Sequence, residues 1–189
     1  VTGLIVLFSF GCETESDSNG KDVVEFSTVL IPAGTFVMGS PAAEAERSSD
    51  EIQHTVTLSA FRMSKYEITT FQYADFLNTL GVGLNGIYAA GAYPDKVLVH
   101  KHTNSYPSDI DFIDGKWAPV AGRENYPIRC VPWYGAAEFA NYKGGRLPTE
   151  AEWEYACRAG ATGPFGTGDC LSPSQANYNW NYPYGSCGN

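Results

Sequence analysis

Residues Arg146–Gly160 read RLPTEAEWEYACRAG, and the spacing of this stretch predicts a helix with both ends specified. Thr149 followed three residues later by Glu152 has the form of a capping box, in which each residue serves the other's backbone N–H. Glu150, Glu152 and Glu154 lie toward the positive end of the helix dipole, and Arg158-Ala159-Gly160 closes the other end. Trp153, Ala156 and Cys157 recur at helical spacing and are expected to form a core stripe, with Leu147 or Pro148 stapled onto Trp153. Three acids in a first turn are read as helix stabilisers, because acid–base work also needs a pocket that shifts their pKa.

The segments upstream repeat this style. Pro132-Trp133 opens a helix through Phe139 and Tyr142 that Lys143-Gly144-Gly145 closes. Thr69 and Gln72 form a second capping box ahead of Tyr73, Phe76, Leu77 and Leu80, and Gly81 ends that helix at a position free to take positive φ. Val29–Ser40 (VLIPAGTFVMGS), broken by Pro32-Ala33-Gly34, predicts two short strands or a hairpin, and His54–Leu58 (HTVTL) predicts a third strand. Between residues 82 and 126 the chain reads as a loop region holding one hairpin, with Asp114-Gly115 as its turn.

Two polar groups in that loop region resemble metal sites and are read otherwise. Asp109, Asp111 and Asp114 do not fit a calcium loop, since Ile113 stands where a ligand is needed, and a solvated strand face is expected. His100 and His102 lack a visible third ligand and are expected to face solvent.

A chain of 189 residues, 43% hydrophobic and 17% charged, can bury a core. Its net charge of -9, without any Lys/Arg run, argues against nucleic acid as a partner. Val1–Phe10 is an apolar run too short to span a bilayer, and it leads through Gly11 to Cys12. That layout resembles a partial signal peptide (1–11) and the bacterial lipobox, with Cys12 lipidated and residues 12–25 as a solvated tether; the alternative is an ordinary cleaved signal with a chance cysteine. Export and a membrane-anchored lipoprotein at the periplasm or cell surface are therefore expected. In an oxidising compartment the four remaining cysteines allow three pairings. The local pair Cys170–Cys187, flanking a turn-rich segment, is the expected bridge; the alternative is four reduced cysteines.

The segments IPAGTFVMGS, KYEITTFQYADFLN and above all YKGGRLPTEAEWEYACRAG resemble the formylglycine-generating enzyme family, the sulfatase-modifying factor domains, over about Phe26–Asn189. The resemblance implies an α+β variant of the C-type lectin fold with little regular structure, of which residues 26–189 are the N-terminal part. It also implies oxidation of a cysteine in a partner protein, such as a sulfatase, by a closely spaced, copper-binding cysteine pair. The GNVWEW- and RGGSW-like motifs that accompany the pair do not stand in this chain, so no catalytic residue is assigned and copper is expected only with sequence outside it. By the same resemblance Cys157 matches a position that forms a structural disulfide to the C-terminal segment. Asn177 and Tyr178 match positions that help bind a structural calcium.

Three functions follow as expectations. The first is an exported cysteine-oxidising enzyme acting on a partner protein. The second is a non-catalytic binding or structural lipoprotein on the same fold, as in gliding-motility lipoproteins. The third, the nonheme iron sulfoxide synthases that share this domain, is disfavoured by the export signal.

Overall fold

A computed structural model of the chain describes residues 26–177, Asn179, Asn181, Tyr184, Cys187 and the backbone of Leu7–Phe8. Its elements run β1 (Leu7–Phe8), β2 (Thr28–Ile31), β3 (Gly34–Met38), β4 (His54–Leu58), β5 (Phe61–Ser64), α1 (Thr70–Thr79), β6 (Ile110–Ile113), β7 (Lys116–Pro119), α2 (Trp133–Tyr142), β8 (Gly145–Arg146) and α3 (Glu150–Arg158). They fall into two compact units, one of Ile31–Ala60 and Pro148–Asn189, the other of Thr2–Leu30 and Phe61–Leu147.

The second unit holds a sheet in the order β2-β5-β1-β8 and the hairpin β6–β7. Leu7 and Phe8 pair antiparallel with Met63 and Arg62 of β5, and with Arg146 and Gly145 of β8. Both halves of the capping box expected at α1 form: Gln72 N donates to Thr69 Oγ1 at 3.2 Å and Thr69 N donates to Gln72 Oε1 at 3.0 Å. Gly81 takes φ 67 at the other end. There Gly81 N reaches Asn78 O and Val82 N reaches Leu77 O, so two carbonyls that the helix cannot satisfy find donors.

Packed aromatic rings form the centre of this unit. Phe76 lies 5.3 Å from both Tyr73 and Phe139, edge-on to the latter, and all three side chains are fully buried with Leu77, Leu98, Ile110 and Ile128 around them. Gly135 lets α2 approach this cluster: a Cβ built on it meets Leu98 O and Tyr73 Oη, the two atoms that share a 2.8 Å hydrogen bond. Burial of the Tyr73 phenol pushes its pKa well above the ordinary value.

Residues 82–126 contribute more than a loop. Val82, Leu98, Val99, Ile110 and Trp117 are all core residues, and Asn78 of α1 ties Trp117 in place by accepting from its N–H and donating to its C=O, each at 2.8 Å. The predicted hairpin is β6–β7, turned by Asp114 (φ 50) and Gly115 (φ 81), the left-handed pair that matches strand twist.

In the first unit β3 and β4 pair antiparallel from Gly34↔Leu58 to Met38↔His54. Val29–Ser40 is thus two strands and not a hairpin: after Pro32, β3 turns to β4, while β2 stays beside β5 in the other unit's sheet. The capping box of α3 forms as expected, with Thr149 N donating to Glu152 Oε2 at 2.8 Å. Ala159 (φ 46) and Gly160 (φ 89) close it in the left-handed region.

The expected core stripe on α3 is corrected. Trp153 is 46% exposed and Cys157 is exposed, whereas Glu152 is buried. The side of α3 that meets β3 carries Tyr155, whose ring packs on Phe36 at 5.2 Å, and the polar clamp of Glu154 and Arg158. Glu154 Oε1 accepts from Gly39 N at 2.9 Å and from Arg158 Nε at 2.8 Å, and Arg158 Nη2 donates to Gly39 O at 3.0 Å. Hydrogen bonding to backbone therefore fixes which face turns inward, against the apolar periodicity. Leu147 is spent elsewhere, packed against the core of the second unit.

Candidate functional site

Ile31, Pro32, β3 and the C-terminal half of α3 wall a cleft of about 820 Å³ in the first unit. Ile31, Pro32, Phe36, Val37, Tyr155 and Ala156 supply its apolar surface, and Thr35, Gln53 and Thr162 its polar groups. Arg158 also lines it, but its guanidinium is committed to Glu154 and to the backbone of Gly39 and Gly163. Among the described residues the lining holds no carboxylate, imidazole or thiol, and its apolar side chains suit holding a ligand's apolar groups.

Across the cleft's unit, Arg47 braces the acidic loop between β3 and β4 by donating to Ser40 O at 2.9 Å and Glu51 O at 3.0 Å. Tyr184 donates to Ala45 O at 3.1 Å. Desolvation, and then the negative charges of Glu44, Glu46 and Glu51, hold its phenol above the ordinary value.

Of the candidate site residues singled out in the sequence, those that are described do not line this cleft. Cys12 and Tyr178 lie outside the described residues, and Asn177 is exposed. Cys170 and Cys187 are joined as a disulfide with Cα atoms 5.6 Å apart, which closes the turn-rich segment between them. Cys130 and Cys157 are free and exposed. Two of the three acids of α3 act structurally: Glu152 caps the helix and Glu154 clamps Gly39.

The described residues hold at most a part of either implied metal site. Copper(I) needs a pair of free thiols, and the two free cysteines sit in different units. Calcium needs six to eight oxygens, and Asn177 offers one side-chain oxygen from an exposed position. Among the described residues no three His, Cys, Asp or Glu side chains gather as a metal site.

The loop acids and histidines are engaged, contrary to the expectation of a solvated face. Asp109 is buried and accepts from Arg129 Nη2 at 2.7 Å and Nε at 3.1 Å. Its own N–H donates to His102 Nδ1 at 3.1 Å, and His100 stacks on Tyr106 at 4.4 Å. Lys101 pairs with Asp111 at 3.3 Å, which leaves Asp114 in the turn as the exposed member. Arg129, twenty residues from Asp109, is the partner that sequence spacing did not reveal.

Against this geometry the comparisons are specific. A family model, the sulfatase-modifying factor enzyme 1-like domain, matches residues 14–188. The formylglycine-generating enzyme of Mus musculus is 28% identical over 166 residues, covering 79% of this chain and 45% of that protein. That of Streptomyces coelicolor is 32% identical over 162 residues, covering 77% of this chain and 51% of its own length. The solved structure of PvdO from Pseudomonas aeruginosa superposes with a TM-score of 0.52 at 29% identity, covering 73% of this chain and 49% of PvdO. Capped helices, short strands and the RLPTEAEWEY stretch thus have one source: the chain belongs to the sulfatase-modifying factor enzyme 1-like family. Its fold is the α+β formylglycine-generating-enzyme variant of the C-type lectin fold. The chain spans about half the length of the relatives it matches.

Proposed function

We propose that this chain is the protein-binding part of a sulfatase-modifying domain, and that the complete domain oxidises a cysteine of a partner protein held here. The carrying observation is a cleft walled mainly by apolar side chains in a chain of a family named for modifying sulfatases. A partner's extended segment would lay apolar side chains against Phe36, Val37 and Tyr155, while reactive groups come from outside the described residues.

Export and a lipid anchor at Cys12 complete this reading, supported by the run VTGLIVLFSFGC. Cys12→Ala is then expected to release the protein from the membrane fraction; retention there refutes the anchor. Among the described residues no helix is long and apolar enough to cross a membrane.

A second reading, a binding or structural lipoprotein without catalysis, is favoured by the tether that the run ending at Cys12 would supply. One experiment separates the two. The protein as encoded in full is incubated with copper(I), air and a cysteine peptide from a sulfatase, and aldehyde is captured with an aminooxy probe. Aldehyde at the peptide's cysteine supports oxidation; peptide binding without aldehyde supports the second reading.

A further inference from the structure

A surface in the second unit, at the start of α2, combines exposed aromatic rings with a buried carboxylate. Trp133 and Tyr134 open α2, and Tyr93 of the preceding loop meets both. The Tyr93 ring lies 5.7 Å from Trp133 and 5.2 Å from Tyr134, and Trp133 stands 5.5 Å from Tyr134 at an interplanar angle of 89°. Trp133 remains 60% exposed and Tyr134 37% exposed, more open apolar surface than three rings need in order to brace a loop.

Glu138 lies one turn further along α2 on the same face as Tyr134. It is 8% exposed, and its carboxylate accepts from Ala92 N at 3.1 Å, beside Tyr93. A Cβ built on Gly91 would fall 2.7 Å from both Glu138 Oε1 and the Tyr88 ring, so glycine leaves the room in which this carboxylate sits. Among the described residues no cation pairs with it. A buried carboxylate without a counter-charge is costly. Aromatic faces beside it add to the same negative potential.

The chain shows which charge this surface attracts. Lys96 sits with Nζ 5.7 Å from the centroid of Tyr134, tethered at 2.7 Å to Asp95 on the rim. Its ammonium is half solvated and does not reach Glu138. We propose that the surface formed by Tyr93, Trp133, Tyr134 and the underlying Glu138 binds a free methylated or quaternary ammonium ion. Methyl groups on such a cation lower its desolvation cost and meet the rings, and Glu138 supplies the counter-charge. The positive end of the α2 dipole opposes this, but as a partial charge against a full one in a desolvated setting. A phosphate attached to the cation, as on a choline lipid headgroup, would meet the exposed Asp95 and a chain of net charge -9, so the free cation is the ligand the surface favours.

The test is a titration of the chain with choline chloride at constant ionic strength, read by tryptophan fluorescence, beside the neutral tert-butyl analogue of choline and phosphocholine. Saturable quenching by choline is expected, with both comparison ligands roughly tenfold weaker or more. Trp133→Leu, a surface change, abolishes the signal. Glu138→Gln, which keeps the acceptor for Ala92 N–H, weakens choline roughly tenfold without affecting the neutral analogue. Lys96→Met tightens binding by removing the internal competitor. Equal binding of choline and its neutral analogue, tighter binding of phosphocholine, or a Glu138→Gln variant with unchanged choline affinity each overturns the proposal.

Discussion

Substituting Gly135 by alanine tests how α2 meets the core of the second unit. In an exposed helix this change would be favourable by about 1 kcal/mol, because glycine has the greater backbone entropy to lose. Here the built Cβ meets Leu98 O and Tyr73 Oη, and lies 2.9 Å from Leu98 C. Backbone cannot give way cheaply, so overpacking of this kind costs about 1–3 kcal/mol. The methyl also displaces the Tyr73 hydroxyl from its 2.8 Å bond to Leu98 O, and a buried polar group left unpaired costs about 1–3 kcal/mol. The balance is a destabilisation of roughly 2–4 kcal/mol. With a urea slope of about 2 kcal/mol/M, the midpoint followed by tryptophan fluorescence falls by roughly 1–2 M. Gly115→Ala is the contrast: open space surrounds that glycine, and only its φ of 81° resists a side chain, so a loss near 1 kcal/mol is expected. A Gly135→Ala protein as stable as its parent would refute the reasoning.

Other outcomes follow from the same contacts. Asn78→Ala strips both hydrogen bonds from the Trp117 backbone and is expected to cost about 2–4 kcal/mol in urea unfolding; a cost under half a kcal/mol contradicts it. Tyr73 makes stability fall at alkaline pH: below its ordinary value of 10.0 the phenol is neutral in both states, and above it the unfolded chain ionises while the buried phenol does not. Tyr73→Phe therefore flattens the loss between the ordinary value and the raised folded one, and an unchanged pH slope would show that burial of this phenol is not its cause. Glu154→Gln weakens the clamp on Gly39, so Gly39 amide exchange quickens by roughly tenfold, matching a loss near 1.4 kcal/mol; unaltered exchange removes the clamp from the account. Reducing Cys170–Cys187, bonded across a sequence separation of 17, is expected to lower the stability of the first unit by about 3 kcal/mol, and a thermal transition insensitive to reductant contradicts that.

Helix ends were the most legible part of the sequence, because capping is local chemistry: Thr69 with Gln72 and Thr149 with Glu152 need only three residues to find each other. The hairpin turn at Asp114-Gly115 was legible for the same reason. What sequence periodicity misread was α3, where Trp153 and Cys157 promised a buried stripe and the structure turns Tyr155, Glu154 and Arg158 inward. Hydrophobic spacing cannot register a carboxylate whose partner is the backbone of a residue 115 positions away. Asp109 was misread in the same manner, since its counter-charge, Arg129, arrives through the fold. The cleft was not legible at all: Ile31 and Phe36 meet Tyr155 from a segment well over a hundred residues away, and each alone reads as an ordinary apolar residue. Asn78 carried no signal, as one polar residue near the end of an amphipathic helix is commonplace.

The central claim, that this chain holds a partner protein in the β3–α3 cleft, is tested most directly by hydrogen exchange of the chain with and without a cysteine-bearing sulfatase peptide. The account predicts slowed exchange confined to residues 31–37 and 155–162, and its loss in a Phe36→Ala variant. Peptide binding that leaves those amides unchanged, or protects only residues of the other unit, would contradict it.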